Sequence, residues 1–327
     1  MGRTGEPFGD IFRGPLRDMD IPAGGWIARV SRTGFADCFH SFLVNRAGSY
    51  PPVGGARCPP VKMVPAEKVE SDSVVVPGGY ARIGGDSKAP GSRPGAMVYV
   101  PGFIMQRNPV THEQYLGFLN DLVSQRRRDE ARQFMPTLRV DGVEEPLYRK
   151  GFAGSYELPP RKEVPFVFET APVVLVSQDA ANAYARWYSV RTASRWRLPT
   201  EVQWERAARG GDGRWYPWGD RMLHRGVLTS ISAVDRFPDV SEPGMDVSPY
   251  GVNLMAGSIR EWTCSRWLVQ SERHTVFEEL RSLAPRLVVK GASFLESHEY
   301  SRAAARGWAL GTIGHHDVGF RLVKRVE

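Results

Sequence analysis

The amino-acid sequence has little cysteine and no long apolar run. Its 327 residues include three cysteines, Cys38, Cys58 and Cys264, which are too few and too scattered for a disulfide framework or a zinc site. No stretch approaches the ~18 apolar residues of a membrane span. The first residues contain no apolar segment typical of a secretory signal. These absences predict a protein of the reducing cytoplasm with no membrane attachment.

A concentrated basic patch is also missing, although the formal net charge is +7. Charges of both signs alternate along the chain. The densest basic run, residues 126–128, is followed at once by Asp129 and Glu130, as on a solvated helix face. A nucleic-acid surface gathers basic residues on one face with aromatic side chains between them. The sequence therefore predicts a dispersed basic surface and no nucleic-acid partner.

The chain divides into a small first part and a large second part. Hydrophobic residues make up 42% and charged residues 24%, as in ordinary globular proteins. Residues 1–55 contain alternating, strand-like segments and resemble a PEGA-type β unit, a compact accessory domain. Residues 56–70, which end a stretch from residue 50 that carries Pro51, Pro52, Gly54, Gly55, Pro59 and Pro60, are predicted to be a linker. Residues 71–327 are long enough for one large domain.

Three helices are predicted in the large domain. Thr111 with Gln114, and Thr200 with Gln203, have the spacing of a capping box at a helix start. The first helix carries an apolar stripe at helical spacing, formed by Tyr115, Phe118, Leu119 and Leu122. The second begins after Ser177 and places on one face Ala181, Tyr184, Ala185 and Tyr188.

A series of motifs occurs in order along the large domain. They are VPGG at 76–79, VTHEQYLGF at 110–118, PVVLVS at 172–177, RLPTEVQWERAARGG at 197–211, YPWGD at 216–220, SPYG at 248–251, MAGSIREWT at 255–263, GASF at 291–294 and VGFRLV at 318–323. Together they resemble the formylglycine-generating enzyme (sulfatase-modifying factor) family over residues 71–327. The resemblance implies an α+β class with a C-type-lectin-like fold: short strands, two or three helices and much irregular backbone.

The resemblance also indicates where the family's catalytic groups should stand. Its enzymes bind Cu(I) through two cysteines five residues apart, just after the Gly-Gly-Ser-aromatic strand, and soft thiolates select this ion. The same positions here hold Glu296 and Ser301. Because hard oxygen atoms do not replace a thiolate pair, we expect neither formylglycine generation nor a copper cofactor. Cys264, the nearest cysteine, is predicted to be a buried structural thiol.

Only a degenerate calcium site is implied. The family uses an Asn or Asp three residues before the Gly of its Gly-Asn-x-x-Glu-Trp motif, together with the Glu. Gly257 and Glu261 remain, but the Asn position holds Leu254, and Asn253 would serve only after a change of register. A second family calcium site would have its Asn at Leu228. Calcium needs several hard oxygen ligands, so no cofactor is assigned and calcium stays an open alternative.

Two stretches flank the surface pocket that the resemblance implies. They carry groups able to bind a partner, a metal or a proton, namely Glu296, His298, Glu299, Tyr300, Ser301, Trp308, His315, His316 and Asp317. We predict that they form a ligand- or partner-binding surface without catalytic residues. The alternative is a set of solvated loop residues beside an inactive cleft, with Tyr300 in the core. His112 stands where the family has Asn and is explained by packing or capping.

The fold signature without the thiolate pair predicts a non-catalytic binding module. We expect it to bind a protein partner in bacterial signalling or defence. Two other functions stay open. One is a metal-dependent oxidoreductase of the wider family, of the siderophore-maturation type, with a non-cysteine metal site. The other is a structural subunit that docks into an assembly through its first 70 residues.

Overall fold

Strands and helices alternate with long irregular stretches in this α+β protein. The computed structural model describes residues 22–45, 48–49, 60–223, 227, 229–230, 238–267 and 285–326. Its strands are β1 Gly24–Val30, β2 Cys38–Asn45, β3 Gly48–Ser49, β4 Ser73–Val76, β5 Gly79–Ile83, β6 Ala96–Val100, β7 Phe103–Gln106, β8 Thr137–Val140, β9 Val143–Pro146, β10 Arg149–Lys150, β11 Tyr156–Glu157, β12 Arg260–Arg266, β13 Arg286–Lys290, β14 Gly307–Leu310, β15 Val318–Gly319 and β16 Val323–Arg325. Its α-helices are α1 His112–Ser124, α2 Arg128–Gln133, α3 Gln178–Arg191 and α4 Glu201–Arg209.

Two sheets position the rest of the described chain. The larger has the strand order β1-β2-β4-β7-β16, with β3 paired to β2. The smaller has the order β14-β13-β12-β15, in which β12 and β15 run parallel. The remaining strands form three two-stranded hairpins. Because β15 lies beside the start of β12, residues just before these two strands come together although they are far apart in sequence.

The N-terminal hairpin extends the larger sheet. β1 and β2 are antiparallel, and Cys38 at the start of β2 pairs with Val75 in β4. The buried Ser41 hydroxyl accepts a hydrogen bond from the Gly211 N–H and lies 3.3 Å from the Tyr250 hydroxyl. Residues 1–21 and 50–59 lie outside the described residues. The predicted boundary at residue 55 and the linker at 56–70 therefore stay predictions.

The predicted helix starts are confirmed. Both Thr111 and Thr200 accept a hydrogen bond from the backbone three residues on, and both capping boxes are closed by the Gln side chain. All four residues of the α1 stripe are buried. Tyr115 stacks on Tyr184 of α3 at 5.8 Å between ring centroids and meets Phe320 edge-on at 6.3 Å. These aromatic contacts join the two long helices to the C-terminal segment.

The described residues contain four α-helices, one more than the three predicted. Helix α2 has six residues and buries only Ala131, so it has no apolar stripe to reveal it. Arg126, just before it, has a φ of 62°, which separates α2 from the end of α1. The run that begins at residue 126 is therefore partly a chain reversal and partly a solvated helix, as its charges indicate.

Candidate functional site

The charged centre of the candidate site lies where β12 begins beside β15. Arg260, the first residue of β12, pairs with Val318. Its guanidinium donates two hydrogen bonds to the Asp317 carboxylate, from Nε at 2.8 Å and from Nη2 at 2.7 Å. The Ser293 hydroxyl donates a third to the same carboxylate, at 2.7 Å. Asp317, a predicted binding residue, is therefore buried and already engaged.

Glu296 reaches the same guanidinium more loosely. Its Oε1 lies 3.5 Å from Nη1 of Arg260, and the side chain is half-buried. Burial raises the pKa of Glu296 above its ordinary value. The positive charge of Arg260 lowers this pKa and the negative charge of Asp317 raises it, so that the pKa stays raised. A further cation at this point would stabilise the charged form of Glu296. Two of the predicted residues thus meet at Arg260.

The short 3-10 turn His298–Ser301 directs its side chains to different neighbours. Ser301 is 0% exposed, and its hydroxyl has no hydrogen-bond partner within the described part of the chain. The His298 ring lies 3.4 Å from the Glu299 carboxylate. Tyr300 is half-buried and packs against a small cluster made of Ala89, Ala304 and Ala305. Packing therefore accounts for Tyr300 at least in part.

Trp308 and the two adjacent histidines have separate surroundings. Trp308 is 43% exposed on β14, with the Arg286 guanidinium 4.4 Å from its ring centroid. His315 is half-buried, and its Nε2 lies 3.2 Å from the Leu310 carbonyl oxygen. His316 is exposed. The structure therefore does not bring the His315 and His316 imidazoles together at one ligand site.

A mostly apolar groove opens beside the charged centre. Its empty space, open solvent included, measures about 250 Å³, and it is lined by Phe166, Ala171, Pro172, Val174, Pro238, Ile259, Phe294 and His316. Three of these residues, Ile259, Phe294 and His316, lie one or two positions from the charged residues in the sequence. The charged centre consequently forms one edge of the groove.

Comparison with known proteins assigns the chain to a family. Residues 60–326 match the sulfatase-modifying factor enzyme 1-like domain. The chain belongs to the sulfatase-modifying factor family. A formylglycine-generating enzyme from Bos taurus is 28% identical over 319 residues, which cover 86% of this chain and 79% of the relative.

Two further comparisons concern a relative that is named inactive and a solved structure of similar fold. The protein named inactive C-alpha-formylglycine-generating enzyme 2, from Bos taurus, is 28% identical over 266 residues, covering 70% of this chain and 78% of that protein. The solved structure of PvdO from Pseudomonas aeruginosa matches with a TM-score of 0.57 and 20% identity, over 83% of this chain and 99% of that one. The likeness to PvdO shows a shared fold.

The residues present do not fit the copper ion of this sulfatase-modifying factor family. At the two thiolate positions implied by the motifs, Glu296 is half-buried beside Arg260, and Ser301 is fully buried. Neither offers a soft sulfur donor. Within the ranges that the structure describes, no group of three or more His, Cys, Asp and Glu residues could hold a metal ion.

Arg321 contacts two of the residues named for the degenerate calcium site, Glu261 and Asn253. Glu261 accepts hydrogen bonds from Arg321 on both carboxylate oxygens, at 2.7 and 2.8 Å, and a third from the Trp204 indole at 3.0 Å. The Asn253 backbone carbonyl accepts from the same guanidinium at 2.8 Å, and its side-chain amide donates to Asn108. Both Glu261 carboxylate oxygens and the Asn253 carbonyl oxygen are therefore engaged by protein donors. Leu228 lies outside the described residues.

The prediction for Cys264 was wrong. Its side chain is exposed on β12, whereas Cys38 in β2, the other cysteine within the described residues, is buried. Burial raises the pKa of Cys38 to about 11, so it stays a neutral thiol at neutral pH.

None of the helices in the described part of the chain is long and apolar enough to span a bilayer.

Sequence reasoning missed three side chains that organise this region. Arg260 and Arg321 lie inside recognised motifs, but nothing in their spacing shows that each pairs with a distant carboxylate. Asp246 is buried, and it accepts the Ala256 N–H at 2.8 Å, so that it holds the loop before β12. Burial raises the pKa of Asp246 to about 7. Its only signal was an acidic residue in a turn-rich segment.

Proposed function

We propose that this protein is a non-catalytic binding module of the sulfatase-modifying factor family. It holds a protein partner at the groove and at the surface around Glu296, in the cytoplasm, in bacterial signalling or defence. Both cysteines within the described residues, Cys38 and Cys264, are free thiols, which supports a reducing compartment.

The observation that carries the proposal is the chemistry at the two thiolate positions. Glu296 forms an ion pair with Arg260, and Ser301 is fully buried. A reaction that depends on a soft, reachable metal ion has no matching donors at these positions. An apolar groove lies beside Glu296, and an apolar concavity with a few polar groups is what a binding site needs. The similarity to the Bos taurus protein named inactive C-alpha-formylglycine-generating enzyme 2 also supports a non-catalytic role.

The first test separates a binding module from a metal-dependent oxidoreductase. We expect the protein purified without chelators to contain far less than one equivalent of copper or iron by elemental analysis. We also expect no oxygen consumption with added Cu(I) and a cysteine-containing peptide, beside an active family enzyme as positive control. One equivalent of either metal, lost on changing His298 or His315, would overturn the proposal in favour of the oxidoreductase of the siderophore-maturation type.

The same preparation tests for a protein partner. We expect a partner captured stoichiometrically from extracts of the source organism to be lost when Trp308 and His316, both exposed, are changed to Ala. A matched control changes Asp129 on α2 and Val143 on β9, which are also exposed, and should retain the partner. Equal capture by both variants would contradict the placement of the site. Loss of assembly only when the first 70 residues are removed would favour the structural subunit.

A further inference from the structure

We propose that the junction between β2 and α4 binds a small planar oxyanion of the carboxylate class, such as formate, acetate or bicarbonate. Arg206 on α4 supplies the positive charge, and His40 on β2 supplies a further hydrogen-bond donor. This anion site shares no residue with the groove or with the partner surface around Glu296. A bound anion would contact both the N-terminal hairpin and the family domain.

Arg206 carries a buried positive charge that no carboxylate of the described residues neutralises. It is 1% exposed, and its guanidinium donates to two backbone carbonyl oxygens, of Tyr80 at 2.7 Å and of Pro77 at 3.3 Å. The other buried lysine and arginine side chains in the described ranges all lie within 3.4 Å of a carboxylate oxygen, namely Arg209, Lys290, Arg306, Arg321 and Lys324. Burying a charge is costly unless a counter-charge accompanies it. Arg206 is therefore the buried cation that an external anion would stabilise.

The carboxylates on either side of Arg206 in the sequence have other partners. Glu205 accepts hydrogen bonds from the Lys290 ammonium at 3.1 Å and from the Gly84 N–H at 2.7 Å. Asp212 accepts from Nε of Arg214 at 3.0 Å and from Nη2 at 2.6 Å. Both acids are thus engaged without Arg206, and the counter-charge for Arg206 has to come from elsewhere.

The Nε/Nη2 edge of the guanidinium is the edge that binds carboxylates elsewhere in this protein. Arg260 binds Asp317 through Nε at 2.8 Å and Nη2 at 2.7 Å. Arg321 binds Glu261 through the same two atoms at the same distances. In Arg206, Nε has no hydrogen-bond partner among the described residues, and Nη2 has one long contact with a carbonyl oxygen. Two parallel N–H donors match the two oxygens of a planar carboxylate, which selects this class of ligand.

His40 and Arg206 both border Gly79, which is buried and has no side chain. A Cβ atom added to Gly79 would lie 3.0 Å from Nη2 of Arg206 and 3.7 Å from Cε1 of His40. A side chain at this position would therefore crowd the guanidinium, and glycine keeps side-chain atoms away from Nη2. Nδ1 of His40, the ring atom bonded to Cε1, is buried and has no partner in the part of the chain that the structure describes.

The imidazole of His40 suits an anion as a neutral donor. Burial lowers the pKa of His40, and the positive charge of Arg206 lowers it further, so the ring is neutral at neutral pH. A neutral imidazole can carry its proton on Nδ1 and donate one hydrogen bond from it. One guanidinium and one neutral donor match a single negative charge, so a monovalent anion is favoured over a divalent one.

Burial limits the ligand to a few atoms. Arg206 and Gly79 are both buried, whereas His40 is half-buried and gives the side from which a ligand would approach. The next residue on β2, Ser41, accepts the Gly211 N–H just after α4, so the hairpin is held against the helix end at this point. A nucleotide or a polypeptide segment could reach Arg206 only by separating β2 from α4. A free small anion therefore fits better than a macromolecule.

Formate tests the anion site on the full-length protein. Sodium formate replaces sodium gluconate at a constant total concentration, because gluconate is a carboxylate too bulky for a buried site. We expect the urea midpoint to rise with formate and then to saturate, since a ligand that binds the folded chain stabilises it. Saturation-transfer NMR from the protein to the formate proton should show the binding directly. Sodium chloride in place of gluconate should leave the midpoint unchanged.

Two variants and a matched control locate the site. Gly79→Ala places a methyl group against Nη2, and Arg206→Gln removes the charge. In both, the dissociation constant for formate should rise at least about tenfold, because charge-assisted hydrogen bonds are lost. Arg127→Gln is the control, because it removes an exposed arginine whose Nε and Nη2 are both held by Glu130. It should bind formate as the wild type does.

The outcomes decide between this anion site and a general salt effect. No saturable response of the wild type to formate, together with no saturation transfer, would overturn the site. An equal response to chloride would overturn the carboxylate class. Wild-type binding by Gly79→Ala would overturn the placement at Arg206, and this variant decides alone if Arg206→Gln does not fold. The partner surface shares none of these residues, so the proposed function stands or falls separately.

Discussion

Glu261→Gln is expected to lower the free energy of unfolding by about 3–5 kcal/mol. Glu261 and Arg321 are each 0% exposed, and the carboxylate receives both arms of the guanidinium. The neutral amide of glutamine keeps the shape but leaves the guanidinium buried without a counter-charge. Removing one member of a buried pair is costly because the remaining charge has already lost its water. Urea unfolding followed by tryptophan fluorescence measures the effect.

A matched exposed pair provides the control. Arg127 and Glu130 form an equally short ion pair, 2.7 Å, but both side chains are nearly half exposed. Water stabilises the separated charges there, so Glu130→Gln should cost far less stability than Glu261→Gln. If the two variants lose similar amounts of stability, the Glu261–Arg321 pair does not hold the loop before β12.

Because both Glu261 oxygens are engaged by Arg321 and Trp204, added calcium or EDTA should leave the urea midpoint of the wild type unchanged.

The fold was accessible from the sequence because its strongest signals are local. Thr111 and Thr200 each stand three residues before a glutamine, and the resulting capping boxes formed as expected. The ordered motifs predicted the α+β class and the family. Helix α2 was not predicted, because a six-residue solvated helix has no apolar periodicity. Cys264 was misplaced because β12 contains a bulge, so that strict alternation from the buried Trp262 fails at this point.

The candidate site was accessible only in part because it depends on contacts between distant residues. Glu296 and Asp317 were identified as candidates from the motifs, and they do meet. Arg260, which joins them, was not identified, since its role depends on the parallel pairing of β12 with β15. The groove is lined by residues between Phe166 and His316, from segments with no shared periodicity. No spacing rule would have gathered them.

Acidification is expected to destabilise the protein through His112, at the first position of α1. The side chain is 0% exposed, and its Nδ1 lies 2.7 Å from the Tyr148 hydroxyl. Burial lowers the pKa of His112 from 6.5 to about 3. Above pH 6.5 the imidazole is neutral in both the folded and the unfolded chain, so this contribution to stability is fully present. As the pH falls below 6.5, only the unfolded chain takes up the proton, and stability is lost progressively until about pH 3.

The loss is large enough to measure by urea unfolding at several pH values. At pH 5 this single proton should cost about 2 kcal/mol relative to pH 7, on the scale of about 1.4 kcal/mol for each pH unit. His112→Asn removes the titrating group, so the slope of unfolding free energy against pH between 6 and 4 should fall by about one proton. His316→Asn changes an exposed histidine and should leave the slope unchanged. Burial also lowers the pKa of His40 and raises that of Asp246 to about 7, which acts in the opposite direction. Both groups are present in the wild type and in both variants, so the difference between the slopes reports His112 alone. An unaltered slope in His112→Asn would show that the imidazole gains access to water in the folded protein.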